Sequence, residues 1–284
     1  MQVFVVAFHC FLFLLISFSS SVSAEIINWE NSKKSLFDAR YEIAAIAGGI
    51  TYLGVKEWNW GSSSFNFNNE DWFGMETGSG GMDKLGHMYA SYVITEVISN
   101  GLSRENEANV AAAYSALWGG GLMMYVEMFD GFSSDHGFSY EDVIFNSSGI
   151  ALSYLRTLNP KLKNLVDYRI DYRPSKEMKG FHPFTDYGGM RYLLAVKAAG
   201  IPSLKDTPLK YFELNFGYMA QGFKVKNAER NSEVFIGVSV NLDKLLFKPF
   251  RSRLKRTGKF ASTFFHYYQP RFSYVKMTLD KRSN

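Results

Sequence analysis

Three polar clusters decide how this chain is read: Asp83-Lys84-Leu85-Gly86-His87, then Glu127-Met128-Phe129-Asp130, then Ser139-Tyr140-Glu141-Asp142 followed by Asn146. They punctuate sequence that is otherwise apolar, and from Ala108 to Val126 there is no charge at all. Helix signals bracket each piece. Gly80-Gly81 precede Asp83, whose side-chain oxygen suits an N-cap, and Asn100-Gly101 is a stop pair. Ser103 is placed to cap a third helix reaching Phe129. Ser139, with Asp142 three residues on, has the spacing of a capping box and opens a fourth helix that Pro160 ends. Gly119-Gly120-Gly121 interrupts the apolar run at a cost on the order of 1 kcal/mol per Gly. Such a cost is offset by tight contact with a neighbouring helix. If consecutive helices run antiparallel, the second starts where the third ends, and the fourth starts there too. All three clusters then fall at one end of a helical bundle.

Outward from this stretch, Leu36 to Lys56 reads as a first helix, with Gly48-Gly49 expected to admit another backbone closely. Glu57 to Gly81 reads as a loop rich in Asn, Ser, Gly and aromatics. Its rings suit either a membrane–water boundary or the packing of a loop onto a core. Residues 1 to 24 read as a secretory signal peptide, with an apolar core over Val3 to Phe18 and small residues at Val22-Ser23-Ala24. The only cysteine, Cys10, lies inside it, so the mature chain is expected to have no disulfide and no thiolate metal ligand.

Past Lys161 the composition turns to Tyr, Arg and Asp. Gly189 to Ala199 reads as a short helix. Phe212, Leu214, Phe216 and Tyr218 then alternate with other residues, as do Val234, Ile236, Val238, Val240 and Leu242, which predicts a hairpin. Phe260–Tyr268 and Arg271–Leu279 read as two further strands. Aromatic alternation resembles outer-membrane strands, but a closed barrel needs about eight. The expected fold class is therefore α+β, mainly α. About four helices over residues 25–160 carry the polar site, and a small antiparallel, aromatic-rich β-region occupies 161–284.

The 284 residues are 46% hydrophobic and 17% aromatic, enough for a sizeable core, and the net charge of +4 argues against a nucleic-acid partner. Local charge is more telling. Lys244, Lys248, Arg251, Arg253, Lys255, Arg256 and Lys259 crowd between the two strand pairs. In an exported chain the phosphates of membrane lipid or lipopolysaccharide are natural partners for such a run, and a solvated loop is the plain alternative.

Three chemistries fit the polar residues. Asp83 and His87 share a helix face, where a carboxylate can fix the imidazole tautomer. The plain reading makes Asp83 a cap and His87 a polar-face residue. Glu127 and Asp130 fall in the last turn of a helix, where the macrodipole already presents negative charge, so Lys84, His87, a proton or a metal ion must offset them. Asp142 and Asn146 share a face in the same way. A metal site would use His87, Glu127, Asp130 and Asp142. A hydrolytic site would use Glu127 or Asp130 as base and His87 as acid. A structural network would use the same groups, with Asp83, Lys84, Ser139, Asp142 and Asn146, to tie helix ends together. Neither a cofactor nor a particular metal is indicated.

The pattern Asp83-Lys84-x-x-His87, Glu127-x-x-Asp130 and Phe138-Ser139-x-x-Asp142-x-x-x-Asn146-x-x-Gly149 resembles an envelope family of Gram-negative bacteria described as predicted periplasmic lipoproteins. Tyr211-x-Glu213-Leu214-x-x-Gly217-Tyr218 with Gly222-Phe223 resembles it too. A shorter core, Asp-Lys-x-x-His, Glu and Ser-x-x-Asp-x-x-x-Asn-x-x-Gly, is similar to the VanZ-like membrane family. The resemblance implies an exported, periplasmic address associated with the outer membrane, and no established reaction. No cysteine stands at the expected cleavage position, and the full set of VanZ-like spans is missing.

Overall fold

The computed structural model describes residues 27–178, 180, 182–225, 228–247 and 256–283. The expected signal peptide lies outside these residues, as do Lys248, Arg251, Arg253, Lys255 and the side chains of Arg256 and Lys259. The fold is α+β and mainly α, with a five-stranded antiparallel sheet towards the C-terminus. It forms two compact units. One joins residues 27–71 with Ala90–Asn159, and the other joins Trp72–Tyr89 with the chain from Pro160 onward.

The first unit is helical. Helix α1 (Trp29–Asp38) is opened by Asn28, whose side chain accepts from the Asn31 amide, and α2 (Arg40–Glu57) follows directly. The single helix expected from Leu36 is thus two, because the chain breaks at Ala39 and the Asn28 cap starts α1 earlier. Helix α3 (Met82–Leu102) begins in the second unit and runs on into the first. Helix α4 (Ala108–Asp130) is capped at Glu107, four residues later than Ser103 suggested, because residues 103–106 form a turn. Helix α5 (Tyr140–Leu158) opens as expected, with the Asp142 amide donating to the Ser139 hydroxyl.

The uncharged run of α4 is explained by burial on several sides. Ala112 and Ala116 meet Ile150 and Tyr154 of α5. Ala111, Tyr114 and Leu122 pack with Ile98, Leu102 and Ala39. Gly119 does let a neighbour in close, since a Cβ there would overlap the Thr95 hydroxyl. Gly48 and Gly49, by contrast, have nothing within 4 Å of a Cβ, so no backbone approaches them as expected. Among the described residues no helix is long and apolar enough to cross a membrane. In the aromatic loop, Trp60 meets Tyr125 edge-on and Phe129 at a tilt, and Phe65 meets Phe132 edge-on and Phe138 at a tilt, so Trp60 and Phe65 pack the loop onto the helical core.

The second unit is built on a meander of β1 (Val166–Tyr172), β2 (Met190–Lys197), β3 (Phe212–Gln221), β4 (Asn231–Val240) and β5 (Tyr274–Ser283), each antiparallel to the next. A short helix α6 (Pro160–Leu165) leads into β1, and α7 (Arg256–Tyr267) precedes β5. The predicted β3–β4 hairpin is present. The helix expected over Gly189–Ala199 is instead β2, held by β1 on one side and β3 on the other. The strand expected over Phe260–Tyr268 is instead the end of α7, where Ser262 donates to Asp243 and the Tyr268 amide bonds the Phe264 carbonyl. The last strand starts at Tyr274, after a 3-10 turn, rather than at Arg271.

The sheet inverts the usual division of faces. Asp167, Arg169, Lys197, Glu213, Asn215 and Ser239 are all buried. On the other face the register aligns Leu194, Phe216, Ile236 and Met277 in one row across the strands, and Val196, Leu214, Val238 and Val275 in the next. Over β1 and β2 this apolar face is covered by the unit's own segment. Tyr168 donates to the Leu85 carbonyl, and a Cβ at Gly86 would lie 2.9 Å from the Tyr192 hydroxyl. At Tyr218 and Ala220 the same segment still covers it, with Tyr218 donating to the Gly80 carbonyl, and around Phe212 to Phe216 of β3, Val238 of β4 and Val275 to Met277 of β5 it is open to solvent.

Candidate functional site

In the helical unit the end of α4 and the start of α5 meet at a buried polar chain. The Ser91 hydroxyl on α3 donates to Asn146 Oδ1 at 3.2 Å, and Asn146 Nδ2 donates to Glu127 Oε1 at 2.7 Å. All three residues are buried. The amide of Asn146 is therefore oriented at both ends, and it holds the Glu127 carboxylate in one place. Asp142, also buried, sits one turn before Asn146 on α5 and brings a carboxylate oxygen within 4.8 Å of one on Glu127. It also offers an oxygen within 4.8 Å of Glu70, in the loop that leads to α3. Asp142 thus has two carboxylate neighbours inside this unit.

The remaining predicted residues take different places. Asp130 is buried and accepts from Trp60 Nε1 at 2.6 Å, which ties the end of α4 to the aromatic loop. Ser139 caps α5 and donates to Glu141 Oε2 at 3.0 Å. In the second unit, Asp83 accepts from the Ser79 hydroxyl and lies 3.3 Å from the buried Lys84 ammonium. It stands in the first turn of α3, which begins at Met82, rather than at its cap. His87 follows Asp83 by four residues and precedes Ser91 by four, so the three share one side of α3. The sequence reading missed Glu70 and Ser91, and it quoted Glu141 without giving it a role. Glu70 lies in an Asn-rich loop with no periodicity to mark it. Ser91 could have been found, since it repeats the Asp83–His87 spacing once more.

Residues 69–158 match the model of a family described as predicted periplasmic lipoprotein (DUF2279). The match takes in Glu70, Asp83, Lys84, His87, Glu127, Asp130, Ser139, Asp142 and Asn146 together, and it supports an exported, periplasmic address. No curated protein and no solved structure matches the chain.

Chemically, the carboxylates of the helical unit form a set of oxygen donors. Oxygen-only donor sets suit hard divalent cations such as Mg²⁺, Ca²⁺ or Mn²⁺, and they equally suit an ammonium or guanidinium group of a ligand. Buried like charges this close repel strongly in a medium of low dielectric, so the cluster favours positive charge or a proton.

A second polar cluster lies in the sheet unit. Arg169 makes a two-pronged contact with Glu213, at 2.6 and 2.8 Å, and also reaches Asp167 and Gln269. Lys197 joins Asp167 at 2.5 Å, and Asn241 donates to Glu213. His266, expected in a strand, is on α7 with Nδ1 3.7 Å from Asp167. Each charge here has a partner of opposite sign, which is how buried ions are stabilised in a core.

Proposed function

We propose that this is a membrane-associated envelope protein that binds an envelope component through its buried carboxylate site. Glu127 and Asp142 would be the principal binding groups, with Asn146 and Ser91 fixing their geometry. Asp83, Lys84 and His87 belong to the same proposed function through their placement on α3 ahead of Ser91. The observation that carries this reading is the Ser91–Asn146–Glu127 chain with Asp142 beside it. A bond network that orients a carboxylate at both remove and contact is what a binding site needs for precision. The match over residues 69–158 supports the envelope address; kinship with the VanZ-like family and the outer membrane as the surface are part of the proposal.

A second reading makes the same site a membrane-surface hydrolase acting on a lipid-linked or phosphate-bearing substrate. Glu127, held by Asn146, would be the base and His87 the acid. Asp130 is less suited to that role because one of its oxygens is engaged by Trp60. Glu127→Gln and His87→Gln, each measured for urea stability and for complementation of an envelope defect, test both. A binding or catalytic role predicts folded variants that fail to complement. Loss of fold in both variants, with complementation falling only in proportion, would reduce the site to a structural network. Elemental analysis of the purified protein reads metal content directly.

A further inference from the structure

The open part of the sheet has a composition suited to hydrocarbon rather than to water. On β3, Phe212, Leu214 and Phe216 are exposed while Glu213 and Asn215 between them are buried. On β4, Val238 is 53% exposed while Ser239 is buried. On β5, Val275 is 79% and Met277 64% exposed. Pairing places these side chains next to one another, so they form one patch rather than scattered contacts. A sheet folding for water alone would bury this face and turn the charged one outward. Strands with polar residues inside and apolar residues outside are the pattern of lipid-facing sheets. Contiguous apolar patches on a folded surface mark a contact with a partner or a membrane.

Resting on the reading that the protein is membrane-associated, we infer that the outer face of β3–β5, carrying Leu214, Phe216, Val238, Val275 and Met277, seats in the surface of an anionic phospholipid bilayer. The charges around the patch select that occupant. Lys210 precedes β3 and Lys244 follows β4, and the Asn241 amide bonds the Tyr211 carbonyl, so both cations stand at one end of the strands. At the other end, on β5, Arg282 is ion-paired to Asp280, and Lys281 lies opposite Glu233 on the charged face. An apolar band with cations at one end meets hydrocarbon and headgroup phosphates together. The seat is shallow. In this sheet β5 pairs only with β4, and unpaired strand-edge groups are too costly to carry into the hydrocarbon centre.

Single cysteines at Val238, Met277 and the exposed loop residue Ser203, in a Cys10→Ser background, would carry an environment-sensitive fluorophore. The expected result with vesicles of phosphatidylethanolamine and phosphatidylglycerol is a blue shift at 238 and 277 and none at 203. Val238→Asp/Met277→Asp should keep the circular dichroism and urea midpoint of the parent, since both sites are exposed, and lose about tenfold or more in vesicle affinity. If the parent binds vesicles while both labels stay aqueous, or the double variant binds as well as the parent, this inference is overturned and the membrane reading stands. If the parent binds no vesicle, the membrane reading itself falls and this inference with it. A parent dimer in sedimentation that the double variant converts to monomer, without vesicle binding, would assign the face to a second copy and overturn the lipid.

Discussion

Asn146 is where the candidate site is most exposed to a single change. Its amide nitrogen serves Glu127 and its amide oxygen serves Ser91, so Asn146→Ala removes both bonds from a buried setting. The expected loss is about 1–3 kcal/mol, the usual cost of depriving buried polar groups of a partner, read from urea unfolding. Asn146→Asp should cost more, because it adds a third negative charge beside Glu127 and Asp142. A change under about 0.5 kcal/mol in both variants would mean that water or other groups already serve Glu127. Glu127 and Asp130 were legible in the sequence for a physical reason: charge that follows a long apolar run, at the negative end of a helix, demands an explanation. Asp142 and Asn146 were legible through the Ser139 capping box and their shared face on α5. Glu70 was not legible because nothing local distinguishes it from the other polar residues of its loop. The buried Glu96–Arg156 pair was illegible for another reason. Its partners are 60 positions apart and meet only once α3 and α5 are side by side.

The tyrosines under the covered part of the sheet's apolar face offer a test at the level of elements. Tyr168 on β1 and Tyr192 on β2 stack on each other at 6.1 Å between centroids, and Tyr89 meets Tyr168 edge-on at 5.9 Å and Tyr192 at a tilt at 6.0 Å. Burial pushes the phenols of Tyr168 and Tyr192 well above their ordinary range, and neighbouring phenols and, for Tyr192, Asp83 push the same way. A proton held more tightly in the folded state gives stability that is complete below the unfolded value, near pH 10, and is lost as pH rises towards the folded one. Spectrophotometric titration should therefore show ordinary tyrosines ionising first, and a later step coinciding with loss of circular dichroism. Tyr168→Phe should shrink that later step. Simple, complete titration near pH 10 with the fold intact would contradict the burial of these rings. The elements themselves were legible where one face is apolar throughout, as in α4, α5 and the β3–β4 hairpin. Strand β1 was missed because both of its sides are buried, Tyr168 and Tyr172 on one and the charged Asp167, Arg169 and Asp171 on the other, so no apolar–polar alternation marks a solvent face. The end of α7 was misread because its aromatic run, Phe264 to Tyr268, suits a strand by propensity. Contacts distant in sequence, such as Ser262 with Asp243, make it a helix.

Across the whole molecule, charge is concentrated where apolar side chains usually are. Glu96 and Arg156 pair inside the helical unit, and Asp167, Arg169, Lys197 and Glu213 inside the sheet unit, all of them buried. Apolar side chains meanwhile line the open face of the sheet. Stability must then depend on complete pairing rather than on apolar volume alone, because an ion pair in a core adds little net free energy while half of one is costly. Arg169 is the sharpest case. It faces Glu213 with both terminal nitrogens and also satisfies Asp167 and Gln269. Arg169→Met should cost about 3–5 kcal/mol in urea unfolding at neutral pH, since it strands buried negative charge. Arg169→Met/Glu213→Leu should recover part of that loss, because the second change removes a carboxylate that no longer has its guanidinium. Asn241 and Ser239 also bond Glu213, so the recovery should be incomplete. If the single variant loses less than about 1 kcal/mol, the pairing is not what holds the sheet's inner face together. If the double variant is worse than the single one, Glu213 is held mainly by Asn241 and Ser239, and the guanidinium is secondary to them.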